Sequence, residues 1–385
     1  MIEKALRGSK KYWTWISVFT GFILAGFICY LFQLKYGLGI TGMGRNVSWG
    51  LYIANFTFLV GVAASAIIII LPYYFHDYKA FGSITVLGEF LAVSAVIMAI
   101  LFVFVDLGEP ARVFNVFFYP SPRSILFWDM IVLSVYLILN IVIGWQCLES
   151  ERKSEAQPRW IKPLIILSIP WAISIHTITA FIYAGLAARP FWLTAILAPR
   201  FLASAFASGP ALLILVCIIM RMKSGFDAGQ EAIRKMVQIV TYALIVNIFL
   251  FLVELFTVFY SNIPEHVLYF QGILFGRSGQ HLLVLCMWFS IILAWAAAFF
   301  LVNPKTSGNE HVIIAACIAI IISVWIEKGI GLIVTGFIPS PLGEISGYLP
   351  TLPEIMISIG IYGVGFLILT MLLNIAIQVK KDLFT

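Results

Sequence analysis

The sequence predicts an all-α, polytopic integral membrane protein of about ten transmembrane helices, and three observations carry that prediction. Of 385 residues, 62% are hydrophobic and only 11% charged, where a soluble domain carries about 25% charged residues. The mean hydropathy is +1.02. Apolar stretches of about 20 residues, enough to cross some 30 Å of hydrocarbon, recur along the whole chain. They lie at 14–34, 49–71, 84–105, 124–145, 164–186, 200–220, 236–260, 281–301, 312–334 and 354–377.

The first stretch follows Lys4, Arg7, Lys10 and Lys11 with no small-residue cleavage site after it, so it reads as a retained helix. The remaining cations set the orientation, because loops on the cytoplasmic side collect Lys and Arg. Of the 24 Lys and Arg, sixteen fall on the side of the N-terminus. Seven fall opposite (Lys35, Arg45, Arg112, Arg123, Arg189, Arg200 and Arg277), and Lys328 lies within a segment. Both termini are therefore expected in the cytoplasm, the protein in the cytoplasmic (inner) membrane. The net charge of +6 is dispersed over separate loops and is no nucleic-acid footprint. Cys29, Cys147, Cys217, Cys286 and Cys317 stand singly, without a Cys-x-x-Cys, so no iron–sulfur cluster and no metal site is expected in this chain. There is no soluble domain, and no Walker-type glycine loop for ATP.

Ionisable residues inside apolar segments are costly and mark function by default. With the orientation above, most fall toward the outer face. Asp106 ends segment three, Asp129 lies early in segment four, and Glu254 lies in the outer part of segment seven. Glu327 and Lys328 fall in the outer half of segment nine, and Glu354 starts segment ten. His176 is near the middle of segment five, behind Pro170, whose kink would open space beside it. Glu89 alone is clearly in the inner half. Such a bias fits a water-accessible pocket opening outward; the plainer alternative is helix–helix glue, with Glu254 pairing Lys328 or a backbone group. Glu327 and Lys328 are adjacent, point about 100° apart on a helix, and each needs its own partner. His176 with His281 could ligate haem b, but two histidines without a repeated spacing argue weakly for it. Three outer loops, 106–124, 184–200 and 335–354, combine prolines with aromatics and suit a stiff platform for a partner protein as well as an interface belt.

Five stretches together carry a resemblance: WGLYIANFTFLVGVAASA (49–66), DLGEPARVFNVFFYPSPRS (106–124), HTITAFIYAGLAARPFW (176–192), PRFLASAFASGPAL (199–212) and EKGIGLIVTGFIPSPLGEISGYLPTLPE (327–354). The chain resembles the NrfD, or polysulfide-reductase membrane-subunit, family. It is most like that family's ten-helix branch, which includes DsrP of the DsrMKJOP sulfite-reduction complex and HmcC-type subunits. The resemblance implies two four-helix bundles, helices two to five (about 48–186) and six to nine (about 200–334). It implies a subunit that exchanges electrons with a quinone, usually menaquinone, and holds no redox centre of its own. A ferredoxin-like iron–sulfur subunit would dock on the outer face, beside the other membrane and cytochrome subunits of a complex. Such a chain is a quinone-redox subunit of an oxidoreductase complex rather than a stand-alone enzyme.

Carried onto this sequence, the quinone pocket would take Trp49, Tyr52 and Asn55, on roughly one face of helix two, with Asp106, Arg112, Asp129 and His176 nearby. Glu89, Glu254, Glu327 and Lys328 would form a proton path, since chains of acidic groups mark such relays. A secondary transporter or a purely structural anchor would also show buried charges. The transporter should show inverted repeats with interrupted helices, and none is evident.

Overall fold

The computed structural model describes residues 2–63, 65–76, 78–82, 84–276 and 281–382. Arg277 lies outside the described residues. Among them there is no strand, and ten helices are long and apolar enough to cross a membrane. We label them α1 (Lys10–Ile40), α2 (Leu51–Ala63 and Ser65–Phe75), α3 (Thr85–Asp106), α4 (Ile125–Lys153) and α5 (Ile161–Ala184). The second half comprises α6 (Leu197–Ser224), α7 (Gln230–Ser261), α8 (His281–Val302), α9 (Glu310–Phe337) and α10 (Leu352–Lys380). Ten crossings return the chain to the side where it began. That end of the bundle is called terminal below, and the opposite end distal.

Several helices outrun the apolar stretches that predict them. Hydropathy marks the hydrocarbon crossing, while a helix continues through the headgroup layer, where charged residues are solvated. Thus α6 begins at Leu197, which places Arg200 in its first turn instead of in a loop. It closes at Gly225, whose φ of 73° lets its amide reach the Arg221 carbonyl. Pro170 does not interrupt α5, which runs through it as one element; the Ser174 hydroxyl donates to the Pro170 carbonyl at 2.8 Å.

α2 is the hub. It is apolar all round, as a helix with no solvent face should be, and the residues described along it are buried through Ile70. It packs on α3, α5, α6 and α9. α3 also packs on α4, and α4 on α5, while α6 contacts α7 and α9, and α8 contacts α7 and α9. α1 is peripheral and leans on α10, which in turn covers α3. Glycine makes the α1–α10 contact possible. A Cβ on Gly26 would stand 2.7 Å from the Gly360 Cα, so the backbones touch, as small residues permit in membranes.

One irregularity matters for function. Within α9 the residues Trp325–Gly331 form a π-helical turn, and this turn carries Glu327 and Lys328. π-turns inside α-helices are local deformations that recur at functional sites. Here Gly329 lies over the Ala54 carbonyl of α2, where a Cβ would come within 3.1 Å.

Candidate functional site

The polar interior concentrates beneath the distal end. At its top is an aromatic box. Trp49 precedes α2 and lies 5.8 Å from the Tyr183 ring, 5.9 Å from Trp192 and 5.7 Å from Phe337. Trp192 comes from the α5–α6 connection and is pinned by an Nε1–H bond to the Leu332 carbonyl of α9, 2.9 Å. Arg189 stands 4.4 Å over the Phe337 ring and donates to the Phe337 carbonyl at 3.4 Å; partial burial holds its guanidinium below the usual range. Rings from four parts of the chain thus meet edge-to-face and stacked, a geometry that adds to their area burial.

Below the box a polar ladder descends along α5. Tyr183, Thr179 and His176 recur at helical spacing on one buried face. The Tyr183 hydroxyl shares a 2.5 Å hydrogen bond with Thr57 of α2, and the Thr179 hydroxyl donates to Asp129 of α4 at 2.7 Å. His176 ends the ladder at 1% exposure, and neither ring nitrogen has a partner. At 1.5 Å per residue the imidazole lies about 10 Å below Tyr183.

Beside the ladder is an ion cluster. Arg200 of α6 pairs both Glu254 of α7 and Glu327 of the π-turn. Asn247 donates to Glu327 at 3.2 Å. Lys328 donates to the Phe201 carbonyl at 3.3 Å and sits 4.2 Å over the Phe201 ring, with Gly61 of α2 leaving room for its ammonium. Glu327 and Lys328 therefore look to different partners, as adjacent residues must. Glu254 pairs Arg200 and not Lys328, correcting the pairing the sequence suggested. The cavity lined by Arg200, Ser204, Asn247, Glu327 and Lys328 measures about 20 Å³, room for one water and not for a ring.

A third group closes the distal end. The Glu354 carboxylate is fully buried and accepts from the amides of Gly42 at 3.0 Å and Leu51 at 3.1 Å, and from the Tyr348 hydroxyl. Together with the Tyr348 hydroxyl it satisfies the Leu51 amide at the start of α2, one of the helix-start amides with no partner inside the helix. Next to it, Tyr52 donates to the Gln33 side chain of α1 at 2.7 Å, and Gln33 donates to the Val105 carbonyl at 2.6 Å. Asp106 follows Val105 and keeps one buried carboxyl oxygen without a partner.

The candidates from helix two do not share one neighbour. Trp49 enters the box, and Tyr52 reaches α1. The Asn55 side-chain oxygen accepts from Trp325 of α9 at 2.8 Å and from Tyr362 of α10 at 3.0 Å. Arg112 is exposed on the turn Pro110–Arg112 and bonds to none of the other candidates. His281 is exposed at the first residue of α8, while His176 lies about 12 Å below the distal end of α5 by helical rise. The two do not face a common space as axial haem ligands would. Glu89 is 1% exposed near the terminal end of α3, with neither oxygen partnered, against Gly144 of α4. No group of three metal-ligating side chains occurs among the described residues.

Sequence reasoning missed Arg200, Tyr183, Trp192 and Phe337. Arg200 had a signal, a cation directly abutting an apolar run in PRFLASAFASGPAL. The aromatics had none, since interface aromatics are common in membrane proteins.

Residues 39–338 match the family described as "Polysulphide reductase, NrfD". The chain belongs to that family. Among curated proteins it is 25% identical to a putative dimethyl sulfoxide reductase membrane subunit of Halobacterium salinarum, over 92% of this chain and 88% of that one. It is 24% identical to a selenate reductase subunit of Mesobacillus selenatarsenatis, over 69% of each. It is also 25% identical to an Hdr-like menaquinol oxidoreductase integral membrane subunit of Archaeoglobus fulgidus, over 54% of this chain and 50% of that one.

Proposed function

We propose that this NrfD-family chain is the quinone-interacting membrane subunit of a respiratory electron-transfer complex. It exchanges electrons between menaquinol and an iron–sulfur partner docked at the distal end. Family membership and the three relatives, each named as a subunit of a reductase or oxidoreductase, support the class. The observation that carries the site is His176, a buried imidazole with both nitrogens unpartnered at the foot of a polar ladder under an aromatic box.

The residues fit a quinol. Its oxidation releases two electrons, which pass to the clusters of the partner, and two protons, which this chain must accept. Flat aromatic faces at Trp49, Trp192 and Tyr183 suit a planar head group. The Thr57–Tyr183 and Thr179–Asp129 pairs hold hydroxyls and a carboxylate between the box and His176. Asp129 is the first carboxylate on that route. His176, with neither ring nitrogen engaged, is free to accept a proton and hand it on. The ion cluster is too tight to seat a ring, and its members neutralise one another. Lys328, over the Phe201 ring that packs on Tyr183, connects the ladder to Glu327, Arg200 and Glu254, and we assign these to a proton path that Glu89 continues toward the terminal side. Asp106, with its free oxygen beside the Glu354 latch, lies at the rim of the same distal end.

Three finer readings complete the proposal. We take the complex to act in sulfite or sulfate reduction, as a DsrMKJOP-like assembly, on the resemblance of its motif set to the ten-helix branch of the family. The excess of Lys and Arg on the terminal side supports a reading with both termini in the cytoplasm and the protein in the cytoplasmic membrane. We read α2–α5 and α6–α9 as two bundles joined through α2, with α1 and α10 peripheral.

The test is His176→Gln in the assembled complex. Menaquinol-dependent reduction of the partner is expected to fall by at least a hundredfold, within the range of one acid–base group's contribution, with the complex still assembled. Unchanged turnover would remove His176 from the mechanism. Extraction of the purified complex should yield stoichiometric quinone; its absence, with no quinol oxidation, would favour the transporter or anchor readings.

A further inference from the structure

A groove of about 310 Å³ opens on the side of the bundle where α5 ends and α6 begins, lined by Phe181, Ala184, Leu193, Thr194, Ala195 and Ala198. Its volume is at the lower end of small-ligand sites. Five of the six lining residues are apolar. The sixth, Thr194, turns its hydroxyl to the Ile196 amide at 3.3 Å, so its oxygen is occupied locally. Three alanines form the depression, between the exposed Phe181 and Leu193 and near the exposed Leu186.

Its position gives the groove meaning. Ala184 follows Tyr183, and Leu193 follows Trp192, both fully buried in the aromatic box. The groove is thus the outer wall of the box, and its mouth is flanked by Phe181 and Leu193, 47% and 51% exposed. It lies at the level where α5 and α6 meet the distal membrane boundary. No charged side chain lines it to hold a phospholipid headgroup by an ion pair, and five of its six lining residues offer only hydrocarbon surface.

We propose that this groove is the seat of the polyprenyl tail of the quinol and the route by which the head group reaches the aromatic box from the bilayer. The inference rests on the quinone reading above and deepens it. The first isoprene units lie along Ala184, Ala195 and Ala198 before the tail passes into lipid, and the head group enters by parting the Tyr183 and Trp192 rings, which are fully buried with centroids 5.4 Å apart.

The test uses the complete complex, with menaquinol of natural tail length and a tail-less naphthoquinol as paired substrates. Ala184→Phe and Ala198→Phe fill the depression. Each is expected to raise the ratio of the two KM values, long tail over tail-less, about tenfold or more over wild type. A ratio unchanged from wild type, whether both substrates are untouched or both are impaired equally, overturns the tail seat. Should neither variant assemble, wild-type complex labelled with a quinol carrying a photoreactive group on its first isoprene units decides the matter. Label in the 181–198 peptide, displaced by long-tail quinol, supports the groove, and label confined to other helices overturns it. If wild-type complex oxidises neither quinol, the quinone reading itself fails, a result distinct from loss of the tail preference alone.

Discussion

In the distal half of the bundle, Arg200 holds Glu254 and Glu327, Glu354 takes two backbone amides and a phenol, and Asp129 takes the Thr179 hydroxyl. In the terminal half, Glu89 is as deeply buried and neither of its oxygens has a partner. The surrounding terminal ion pairs, such as Arg221–Glu310 and Arg152–Glu149, sit at the partly exposed edge, where pairs contribute little. The contrast separates two roles for buried charge. A carboxylate with its partners in place has its charge compensated where it stands, so that removing a partner is what costs the fold. One left without partners is costly to the fold and is retained for what it does.

The largest effect should come from breaking the distal pairing. Arg200→Ala leaves Glu254 and Glu327 facing each other, buried and uncompensated, and such breakage costs about 3–5 kcal/mol. The thermal midpoint of the purified complex is expected to drop steeply, with little protein assembled in membranes. Arg200→Lys should recover only part of the loss, because one ammonium cannot replace a planar fork that serves two carboxylates. Restoring neutrality with Glu254→Gln and Glu327→Gln in the Arg200→Met background should regain most of the stability. A midpoint for Arg200→Ala equal to wild type would show that the cluster does not carry the fold.

The sequence makes the ten helices legible because hydrocarbon thickness imposes a length and a composition that chance rarely produces. It also makes the depth of each charge legible, and so the distal concentration of Glu254, Glu327 and Lys328. It cannot show partners. Arg200 reads as a loop cation because the apolar window starts there, whereas the helix begins three residues earlier, at Leu197. The π-turn at Trp325–Gly331 has no periodic signature, since one irregular turn barely alters a 28-residue apolar pattern. Trp49, Tyr52 and Asn55 share a spacing but diverge, because Trp49 precedes the helix and each meets a different neighbour around a hub with no free face. The aromatic box joins residues 49, 183, 192 and 337, which only tertiary structure brings together.

Glu89→Gln sharpens the comparison from the other side. No partner is lost, so stability should stay within about 1 kcal/mol of wild type, the range of substitutions that break no network. If Glu89 passes protons, acidification across sealed vesicles should fall severalfold while electron transfer to the partner continues. An unaltered pH change across the vesicles would exclude a relay through Glu89.

The smallest effect should come from the latch at the start of α2. The Leu51 amide donates to both the Tyr348 hydroxyl, at 2.6 Å, and Glu354. Tyr348→Phe therefore removes one acceptor and leaves the other, and about 1 kcal/mol of stability should be lost. Glu354→Ala should cost more, because the amides of Gly42 and Leu51 then lose a carboxylate that serves both. Burial, reinforced by the Glu354 charge, holds the Tyr348 phenol above its ordinary value of 10.0. The unfolded chain would then release this proton at a lower pH than the folded one. The contribution is whole below about 10 and shrinks as pH climbs past it toward the raised folded value. Thermal midpoints of wild type and Tyr348→Phe should differ by a constant amount from pH 6 to 9 and converge above that. A gap that widens with alkalinity would mean that the folded chain gives up the phenol proton more readily than the unfolded one, which is incompatible with the phenol donating to Glu354.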